Sequence, residues 1–291
     1  MTANATTVRG TTARVPPHLY FAVSAVFHYL GPSFAVLLFA RVEVLGVAWL
    51  RIAAAAVIFA AWRRPWRAFA RLDHDGRLLL IAWGTVLAVM NACFYSAISR
   101  LPLGTVSAIE FLPVIVLAAI GVRSSRNVCA LALAVGGVYL LTDIRVAGAA
   151  LGFAFAFANA ALFSVYIVLA DRVAKRDALS GIDGLAAAML IAAVVVTPIG
   201  GWQAVRAFGD PVVLLAGIGV GISSSVIPYV TDQLAMARLP RATYATMVAL
   251  LPALATVIGI IVLAQIPTLV EVAGLALVVS GVALHRSPRT A

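Results

Sequence analysis

Residues 90–113 read MNACFYSAISRLPLGTVSAIEFLP and carry an amide, a tyrosine, a proline turn and the acid Glu110. The chain on either side of this stretch consists mainly of Ala, Val, Leu and Ile. A carboxylate is costly in apolar surroundings unless it is paired or has a function. We therefore expect the remainder of the chain to form a scaffold that holds these polar groups in place.

The composition indicates a membrane protein. Hydrophobic residues make up 63% of the 291 residues and charged residues 11%, and the mean hydropathy is +1.06. Soluble proteins average about 45–50% apolar and about 25% charged residues. The apolar core of a bilayer is crossed by about 20 helical residues. We predict ten spans, numbered 1 to 10, at residues 17–40, 43–62, 77–99, 102–121, 126–143, 147–170, 182–202, 211–236, 241–264 and 267–285.

The net charge of +10 is explained better by membrane topology than by nucleic-acid binding. A nucleic-acid interface needs basic residues clustered on an aqueous surface, and the predicted loops leave almost none. Counting Lys and Arg at alternate ends of the spans places sixteen on one side and four on the other, with Arg51 inside span 2. By the positive-inside rule both termini are predicted to be cytoplasmic. We expect a multi-pass protein of the plasma (inner) membrane, surrounded by lipid, with no nucleic-acid partner.

A weak internal repeat relates the two halves of the chain. Arg100-Leu101-Pro102 recurs as Arg238-Leu239-Pro240, 138 residues later. The separation spans five helices, and because five is odd the two copies have opposite orientations in the membrane. The predicted fold is an all-α membrane protein with ten transmembrane helices in two inverted five-helix repeats around a central cavity. The repeats cover residues 17–146 and 147–285, between cytoplasmic tails at residues 1–16 and 286–291.

The prolines of the repeat mark predicted gating positions. Each motif is followed by a helix-interior proline eleven or twelve residues later, and such a proline leaves a backbone carbonyl without its helical donor. Asp232 lies about one turn from the cytoplasmic end of span 8, where a gating role is favoured over substrate binding. The predicted gating residues are Pro102, Pro113, Asp232, Pro240 and Pro252.

Two opposite charges lie deep within predicted spans and are the main candidates for a binding site. Glu110 is about eight residues into span 4, and Arg51 is near the middle of span 2. An ionisable group at the centre of a membrane helix costs about 2.5–3.5 kcal/mol on insertion scales and is usually functional. We expect an Arg51–Glu110 interaction, either direct or bridged by substrate. A purely structural ion pair is the alternative.

Further polar residues of the first repeat extend this candidate site. Asn91 and Tyr95 lie one turn apart on one face of span 3, and Ser107 lies on the same face of span 4 as Glu110. For Asn91, lining a cavity and bonding to a neighbouring helix remain equal alternatives. His28, near the centre of span 1, is a candidate proton carrier together with Glu110. Its alternative is a histidine satisfied by a neighbouring helix.

The second repeat contributes mainly aromatic and hydroxyl groups. Span 6 carries Asn159, Phe163 and Tyr166 on one stripe, and because aromatic stripes usually pack, only Tyr166 is assigned to substrate binding. Tyr229 of span 8 and Tyr244 of span 9 complete the predicted substrate-binding set.

No enzyme constellation is found in the sequence. It contains no HExxH motif, no Cys or His ligand pair, no serine nucleophile with a plausible base and no GxxxxGK[ST] phosphate loop. Cys93 and Cys129 fall within predicted spans and are assigned to packing. We therefore predict no catalytic residue, no metal and no cofactor. The alternatives from other classes are a membrane-embedded enzyme and a non-transporting structural component.

Residues 90–113 also resemble spans 3 and 4 of EamA-type members of the drug/metabolite transporter superfamily, particularly the threonine/homoserine exporter branch. The match extends to PYVTDQLAMARLPRATYATM and LPALA in the second half and to Ala48-Trp49-Leu50-Arg51 in span 2. The residues matched in the first stretch are Met90, Asn91, Phe94, Tyr95, Pro102, Leu103, Gly104, Glu110 and Phe111. The resemblance implies ten helices around a central cavity and export of small amino acids or related metabolites against protons.

The sequence departs from the family pattern at three places. Leu251 stands where the second repeat usually has an acid, and Ala264-Gln265 stands where Gly-Glu is usual. Glu110 and Pro113 are separated by one residue fewer than in the exporter branch, which turns the proline by about 100° around the helix relative to the acid. These differences bear on substrate identity more than on the fold.

The sequence therefore predicts a secondary transporter that exports a small amphiphilic metabolite, most simply an amino acid, by alternating access with proton antiport. Glu110 would receive the ammonium group of the substrate or the coupling proton, and Arg51 would receive a carboxylate. Asn91, Tyr95 and Tyr166 would orient the molecule. A drug or nucleotide-sugar carrier of the same superfamily is the alternative within transporters, and assembly into a homo-oligomer remains open.

Overall fold

The computed structural model describes residues 16–121, 124–143, 146–175, 181–239, 241–248 and 250–284, which fold into helices and turns without a strand. The principal helices are labelled in chain order, with α8 containing a π-helical turn and α9 broken into two halves. They are α1 Pro17–Leu38, α2 Val44–Arg63, α3 His74–Ile98, α4 Leu103–Gly121, α5 Ser125–Asp143, α6 Val146–Ala174, α7 Gly181–Val196, α8 Pro211–Met236, α9 Arg241–Val248 and Leu251–Leu263, and α10 Leu269–Leu284. A short helix, Pro65–Ala70, lies between α2 and α3.

The lengths of these helices confirm the all-helical membrane class. Within the described residues, six helical segments are long and apolar enough to cross a membrane, and they correspond to predicted spans 1, 2, 3, 6, 7 and 8. Four shorter apolar helical segments lie at the places predicted for spans 4, 5, 9 and 10. The protein is therefore a multi-pass membrane protein.

Most of the extensive helix contacts recur when five is added to or subtracted from every helix number, although α4 also packs on α10 without a comparable contact of α9 with α5 in the described residues. The α3 helix packs on α6 as α8 packs on α1, α2 packs on α8 as α7 packs on α3, and α4 packs on α6 as α9 packs on α1. The pairs α2–α7, α4–α9 and α5–α10 are also packed together, and each such pair maps onto itself. The core of the molecule is thus built from contacts between the two halves of the chain.

Connecting segments contact one another in agreement with the predicted sides. Arg41, after α1, forms an ion pair with Asp210 at the start of α8, with N and O 3.6 Å apart. Arg63, at the end of α2, pairs with Asp183 at the start of α7 at 2.8 Å. Arg126, at the start of α5, donates to the carbonyl of Leu284 at the end of α10, at 2.6 Å. Each contact joins segments that the sequence assigns to one side.

Two prolines interrupt helices that the sequence treats as continuous. A π-helical turn, Ile222–Val226, precedes Pro228 in α8. The predicted span 9 is divided, and Pro252 lies in the first turn of its second half instead of inside one continuous helix. A proline has no N–H to give to the carbonyl four residues earlier and its ring crowds that carbonyl, which explains why both helices change geometry there.

Candidate functional site

Glu110 lies at a contact between the two halves of the chain. It is on α4, is only 6% exposed, and its Oε1 accepts a hydrogen bond from Nδ2 of Asn159 on α6 at 3.1 Å. Asn159 is fully buried, and its Oδ1 has no hydrogen-bond partner. The acid therefore has a donor from the second half of the chain and a neighbouring acceptor whose bonding capacity is unused.

Arg51 binds α8 instead of Glu110. Its Nε donates to Ser225 Oγ and its Nη2 donates to the carbonyl of Ser224, both at 3.0 Å. In an α-helix the carbonyl of residue 224 would accept from the N–H of residue 228, which is a proline and has none. The guanidinium therefore takes the place of a missing backbone donor.

The direct form of the predicted Arg51–Glu110 pair is consequently not formed. None of the ion pairs between described residues joins these two side chains. Arg51 still acts on Glu110 electrostatically, so the two charges belong to one site without contact. A substrate-bridged interaction remains compatible with this arrangement.

Asn91 and Tyr95 of α3 have different environments. Asn91 is buried and its Nδ2 donates to the carbonyl of Leu87 one turn earlier, at 2.8 Å. Tyr95 is fully buried, its ring lies 5.4 Å from Cζ of Arg51, and its hydroxyl has no hydrogen-bond partner. Tyr95 therefore offers an unused polar atom beside the guanidinium, whereas the amide nitrogen of Asn91 is occupied within its own helix.

Ser107 and His28 are joined through Tyr29, which the sequence analysis did not select. The hydroxyl groups of Tyr29 and Ser107 are 2.6 Å apart and link α1 to α4. The His28 ring packs edge-on against Tyr29, with the ring centroids 5.1 Å apart. The structure thus places His28 next to the site in an aromatic contact.

Within the described ranges, no three or more His, Cys, Asp or Glu side chains form a group that could hold a metal ion.

Tyr166 and Tyr229, two predicted tyrosines of the second half, have different surroundings. Tyr166 is stacked on Phe163 at an interplanar angle of 9° and contacts Trp83, with centroids 6.3 and 5.6 Å away respectively. Tyr229 interacts electrostatically with Arg51, Glu110 and Tyr95. Tyr229 is therefore near the charged pair, while Tyr166 forms part of an aromatic stack between α3 and α6.

Asp232 and Tyr244 form a contact between α8 and α9. The Tyr244 hydroxyl donates to Oδ1 of Asp232 at 2.6 Å, and its ring packs edge-on against Phe21 of α1. Ser24 of α1 donates to the carbonyl of Pro228 at 3.0 Å. These bonds hold α1, α8 and α9 together on the side of the α8–α9 turn.

Of the predicted gating prolines that the structure describes, two lie at the start of a helical segment and one lies inside a continuous helix. Pro102 immediately precedes α4, Pro113 lies inside α4, and Pro252 begins the second half of α9. Pro240 lies outside the described residues.

The arginines of the two Arg-Leu-Pro motifs make equivalent contacts. Arg100 Nη1 donates to the carbonyl of Ser96 at 2.7 Å, and its Cζ lies 5.5 Å from the ring centroid of Phe155 on α6. Arg238 Nη1 donates to the carbonyl of Leu234 at 3.0 Å, and its Cζ lies 5.2 Å from the ring of Tyr20 on α1. In both cases the bonded carbonyl is four residues earlier and the aromatic ring belongs to the first helix of the opposite half.

A cavity of about 440 Å³ lies between the α3–α4 turn and the α9–α10 turn. Its polar lining includes Arg100, Thr105, Thr256, Gln265 and Glu271. Thr105 is five residues before Glu110, about one and a half helical turns along α4. The cavity therefore begins near one end of the molecule and ends short of the buried acid.

Three contributions to the site were missed by sequence reasoning. Asn159 was assigned to a packing stripe, although an amide in an apolar span was itself a signal. Tyr29 was overlooked beside His28, and Ser224 acts through a backbone carbonyl that no side-chain pattern reports. The triple serine at residues 223–225, which ends three residues before Pro228, was the available sign of an unusual helix.

Comparison with known proteins gives consistent relatives over most of the chain. The chain is 32% identical over 281 residues to the threonine/homoserine exporter RhtA of Salmonella typhimurium, covering 93% of this chain and 92% of that protein. It is 34% identical over 253 residues to the threonine/homoserine exporter RhtA of Escherichia coli K12, covering 86% and 84% respectively.

A family model and a solved structure agree with this result. Residues 150–286 match the model of the EamA-like transporter family. A crystal structure with 18% sequence identity superposes with a TM-score of 0.59 over 91% of this chain and 96% of that one, which shows a shared fold. The chain belongs to the EamA-like transporters of the drug/metabolite transporter superfamily.

Proposed function

We propose that this protein is a secondary transporter that exports a small amino acid of the threonine or homoserine kind. The observation that carries the proposal is the buried Glu110 carboxylate of the first half, which accepts a hydrogen bond from Asn159 of the second half. A carboxylate buried in a membrane helix costs free energy, and a bound ammonium group would offset this cost by forming an ion pair with it. The activity named for the relatives supports the substrate class.

The proposed substrate site combines residues from both halves. Glu110 binds the ammonium group or the coupling proton, and the unbonded N–H groups of Arg51 bind the carboxylate. Tyr95 and Tyr229 line the space between these charges, and Ser107, Asn91, Tyr166 and Tyr244 form the surrounding shell. His28 is a second candidate for proton transfer because its ring packs against Tyr29, whose hydroxyl lies 2.6 Å from that of Ser107.

The proposed architecture is two inverted five-helix repeats with both termini in the cytoplasm. Most extensive helix contacts of one half have an equivalent contact five helices further along the chain, which supports this arrangement. The equivalent contacts of Arg100 and Arg238 support it as well. The excess of Lys and Arg on the side of the termini supports their orientation, and the α3–α4 turn then faces outwards.

The proposed mechanism is alternating access coupled to proton antiport. The Arg100–Phe155 contact, here named the outer arginine contact, closes the outward end, and the Arg238–Tyr20 contact, named the inner arginine contact, closes the cytoplasmic end. The Tyr244–Asp232 bond closes the inner end further. Substrate and proton would bind in turn at Glu110, and Pro113, Pro228 and Pro252 mark the places where helices bend.

Counterflow in proteoliposomes tests the proposal. Proteoliposomes that contain the purified protein are loaded with an unlabelled compound, and uptake of the same compound in labelled form is measured. The compounds are threonine, homoserine, a nucleotide sugar and a cationic drug. We expect exchange of the amino acids, and Glu110→Gln should reduce it to the level of empty liposomes. Glu43→Gln, at an exposed acid before α2, is the matched control and should retain exchange.

The same experiment separates the alternatives. Exchange restricted to the nucleotide sugar or the drug would replace the amino-acid assignment. A fully active Glu110→Gln variant would remove the central role of this carboxylate. Exchange that is insensitive to an imposed pH gradient would remove proton antiport.

A further inference from the structure

Asn159 is the only described residue whose side chain bonds directly to Glu110. It lies on α6, on the opposite half of the chain, and is fully buried. Its Nδ2 is used by Glu110 Oε1, whereas its Oδ1 is a buried acceptor without a partner. The two terminal atoms of one amide are neighbours, so this acceptor lies beside the carboxylate.

A buried amide oxygen without a donor is unfavourable, because the group has lost its bonds to water and gained none in return. Such atoms are uncommon in folded proteins and call for an explanation. A structural role for Asn159 needs only its Nδ2, which already bonds to Glu110. The unused oxygen therefore indicates a donor that is absent from the protein itself.

We propose that Asn159 positions the substrate by accepting a hydrogen bond from its ammonium group through Oδ1. This inference rests on the proposed function and identifies the ligand class of the site as a primary amine. An ammonium group carries three N–H donors and no acceptor. One donor binds the Glu110 carboxylate and another binds the amide oxygen.

The arrangement also explains why an amide occupies this position. A second carboxylate there would bring two like charges together in a buried site. An apolar residue would bind neither Glu110 nor the amine. An amide donates to the acid and accepts from the amine at the same time, so the ligand is contacted by both halves of the chain.

The test pairs variants of Asn159 with substrates that differ in the number of N–H donors. Competition against labelled threonine in counterflow gives the apparent affinity of threonine, N-methylthreonine and N,N-dimethylthreonine. Methylation preserves the positive charge and removes donors one at a time. For the unmodified protein we expect the dimethylated compound to bind at least about tenfold more weakly, about 1.4 kcal/mol by the conversion between affinity and free energy.

Two substitutions then separate hydrogen bonding from the space that the side chain fills. Asn159→Leu has a similar size but no acceptor, and it should reduce the difference between the three compounds to less than about threefold. Asn159→Gln keeps both the donor and the acceptor of the amide and should preserve the difference. Asn159→Ala, which also lacks an acceptor, serves in place of the leucine variant if that protein does not elute as a single species on size exclusion.

The outcomes distinguish this inference from the proposed function. If the unmodified protein exchanges threonine and Asn159→Leu keeps the original preference, the inference is overturned and the proposed function stands. If another primary amine is exchanged in place of threonine, its methylated series gives the same readout. If no amine is exchanged at all, both are overturned.

Discussion

At the scale of single residues, the unusual feature of this protein is where its unpaired polar atoms lie. The buried side-chain atoms that lack hydrogen-bond partners include Trp83 Nε1 and Gln203 Oε1, and three more lie at the candidate site, namely the Tyr95 hydroxyl, Asn159 Oδ1 and Ser224 Oγ. The last three atoms belong to residues that touch Arg51 or Glu110, or bond to them through another of their atoms. In a membrane protein such atoms cannot turn to water. The position of these three atoms beside two opposite charges supports the ligand site that we propose there.

Two substitutions test whether the hydroxyls of Tyr29 and Tyr95 have different roles, because the first is hydrogen-bonded and the second is not. Tyr29→Phe breaks the bond to Ser107 and should lower the free energy of unfolding by about 1–3 kcal/mol, since it leaves a buried hydroxyl unpaired. Tyr95→Phe removes no bond and should leave stability unchanged while weakening substrate exchange. Thermal unfolding in detergent and counterflow of labelled threonine measure the two effects. Equal destabilisation by both substitutions would contradict the assignment.

The charged residues of the site were predictable from sequence, but their partners were not. Glu110 and Arg51 stand out because a charge deep within an apolar run has a known cost. The partner of Arg51 depends on a carbonyl that Pro228 leaves without a donor, on a helix more than 170 residues away. Such a contact is set by helix packing, which a single sequence without an alignment does not report. Asn159 was not selected from the sequence because its helix stripe also carries aromatic residues, and such stripes usually pack against neighbouring helices.

At the scale of elements, an irregular turn in α8 supplies the hydrogen-bond partners of Arg51. In α8 the π-helical turn and Pro228 present a backbone carbonyl sideways to Arg51, and the first half of α9 ends just before Pro252. A Cβ on Gly31 of α1 would clash with Ser224, so α1 can approach this turn only because residue 31 is a glycine. The sequence indicated the positions of these breaks through its prolines. It did not indicate that one break would be satisfied by an arginine.

A double-mutant cycle between Arg51→Met and Pro228→Ala tests this coupling. Arg51→Met leaves the Ser224 carbonyl unpaired and should destabilise the protein by about 1–3 kcal/mol. Pro228→Ala supplies a backbone N–H that can reach this carbonyl, so it should reduce the effect of Arg51→Met by about 1 kcal/mol. Thermal unfolding of the four proteins gives the interaction energy. The cycle of Arg51→Met with Pro113→Ala is the control and should be additive, because Arg51 does not bond to α4.

The end of α9 offers a second test at the scale of elements. Ala264 has φ 52° and ψ 31°, a left-handed conformation that costs an alanine about 1–2 kcal/mol relative to an unstrained backbone. Ala264→Gly should therefore raise the free energy of unfolding by about 1 kcal/mol. Ala276→Gly, at an exposed position inside α10, should lower it by about 1 kcal/mol. Thermal unfolding of both variants checks the sign, and destabilisation by Ala264→Gly would be evidence against this conformation.

At the scale of the whole molecule, the packing relates two halves whose chemistry is unequal. The halves share the arginine contacts and the order of helix neighbours. Glu110 and Arg51 both belong to the first half, while the second half supplies Asn159, Ser224 and Ser225 as partners. The Arg-Leu-Pro repeat predicts an inverted relation between the halves, and these shared contacts are compatible with it. The unequal division of charge suits the amphiphilic ligand of the proposed function, because each end of such a ligand would meet a different set of groups.

The two arginine contacts provide a test of alternating access. Removing one ring should favour opening at that end by about 2- to 30-fold, as expected for the loss of a cation–π contact of about 0.5–2 kcal/mol. Opening is measured with a single introduced cysteine in a protein whose Cys93 and Cys129 are replaced by serine. One reporter is Thr105→Cys in the outer cavity, and the other is Thr243→Cys in the first turn of α9. Phe155→Ala should speed modification of Thr105→Cys by an impermeant maleimide and slow that of Thr243→Cys. Tyr20→Ala should have the opposite effect on both reporters.

The reciprocal change is the decisive part of this prediction. A protein that is merely loosened by a lost contact would be modified faster at both positions in both variants. The structure forms both contacts at once. If the state open at the outer end and the state open at the inner end exclude each other, a larger population of one must lower the population of the other, because the populations sum to one. Faster modification of both reporters by Phe155→Ala would therefore exclude the arginine contacts as opposed gates, even if each residue contributes to stability.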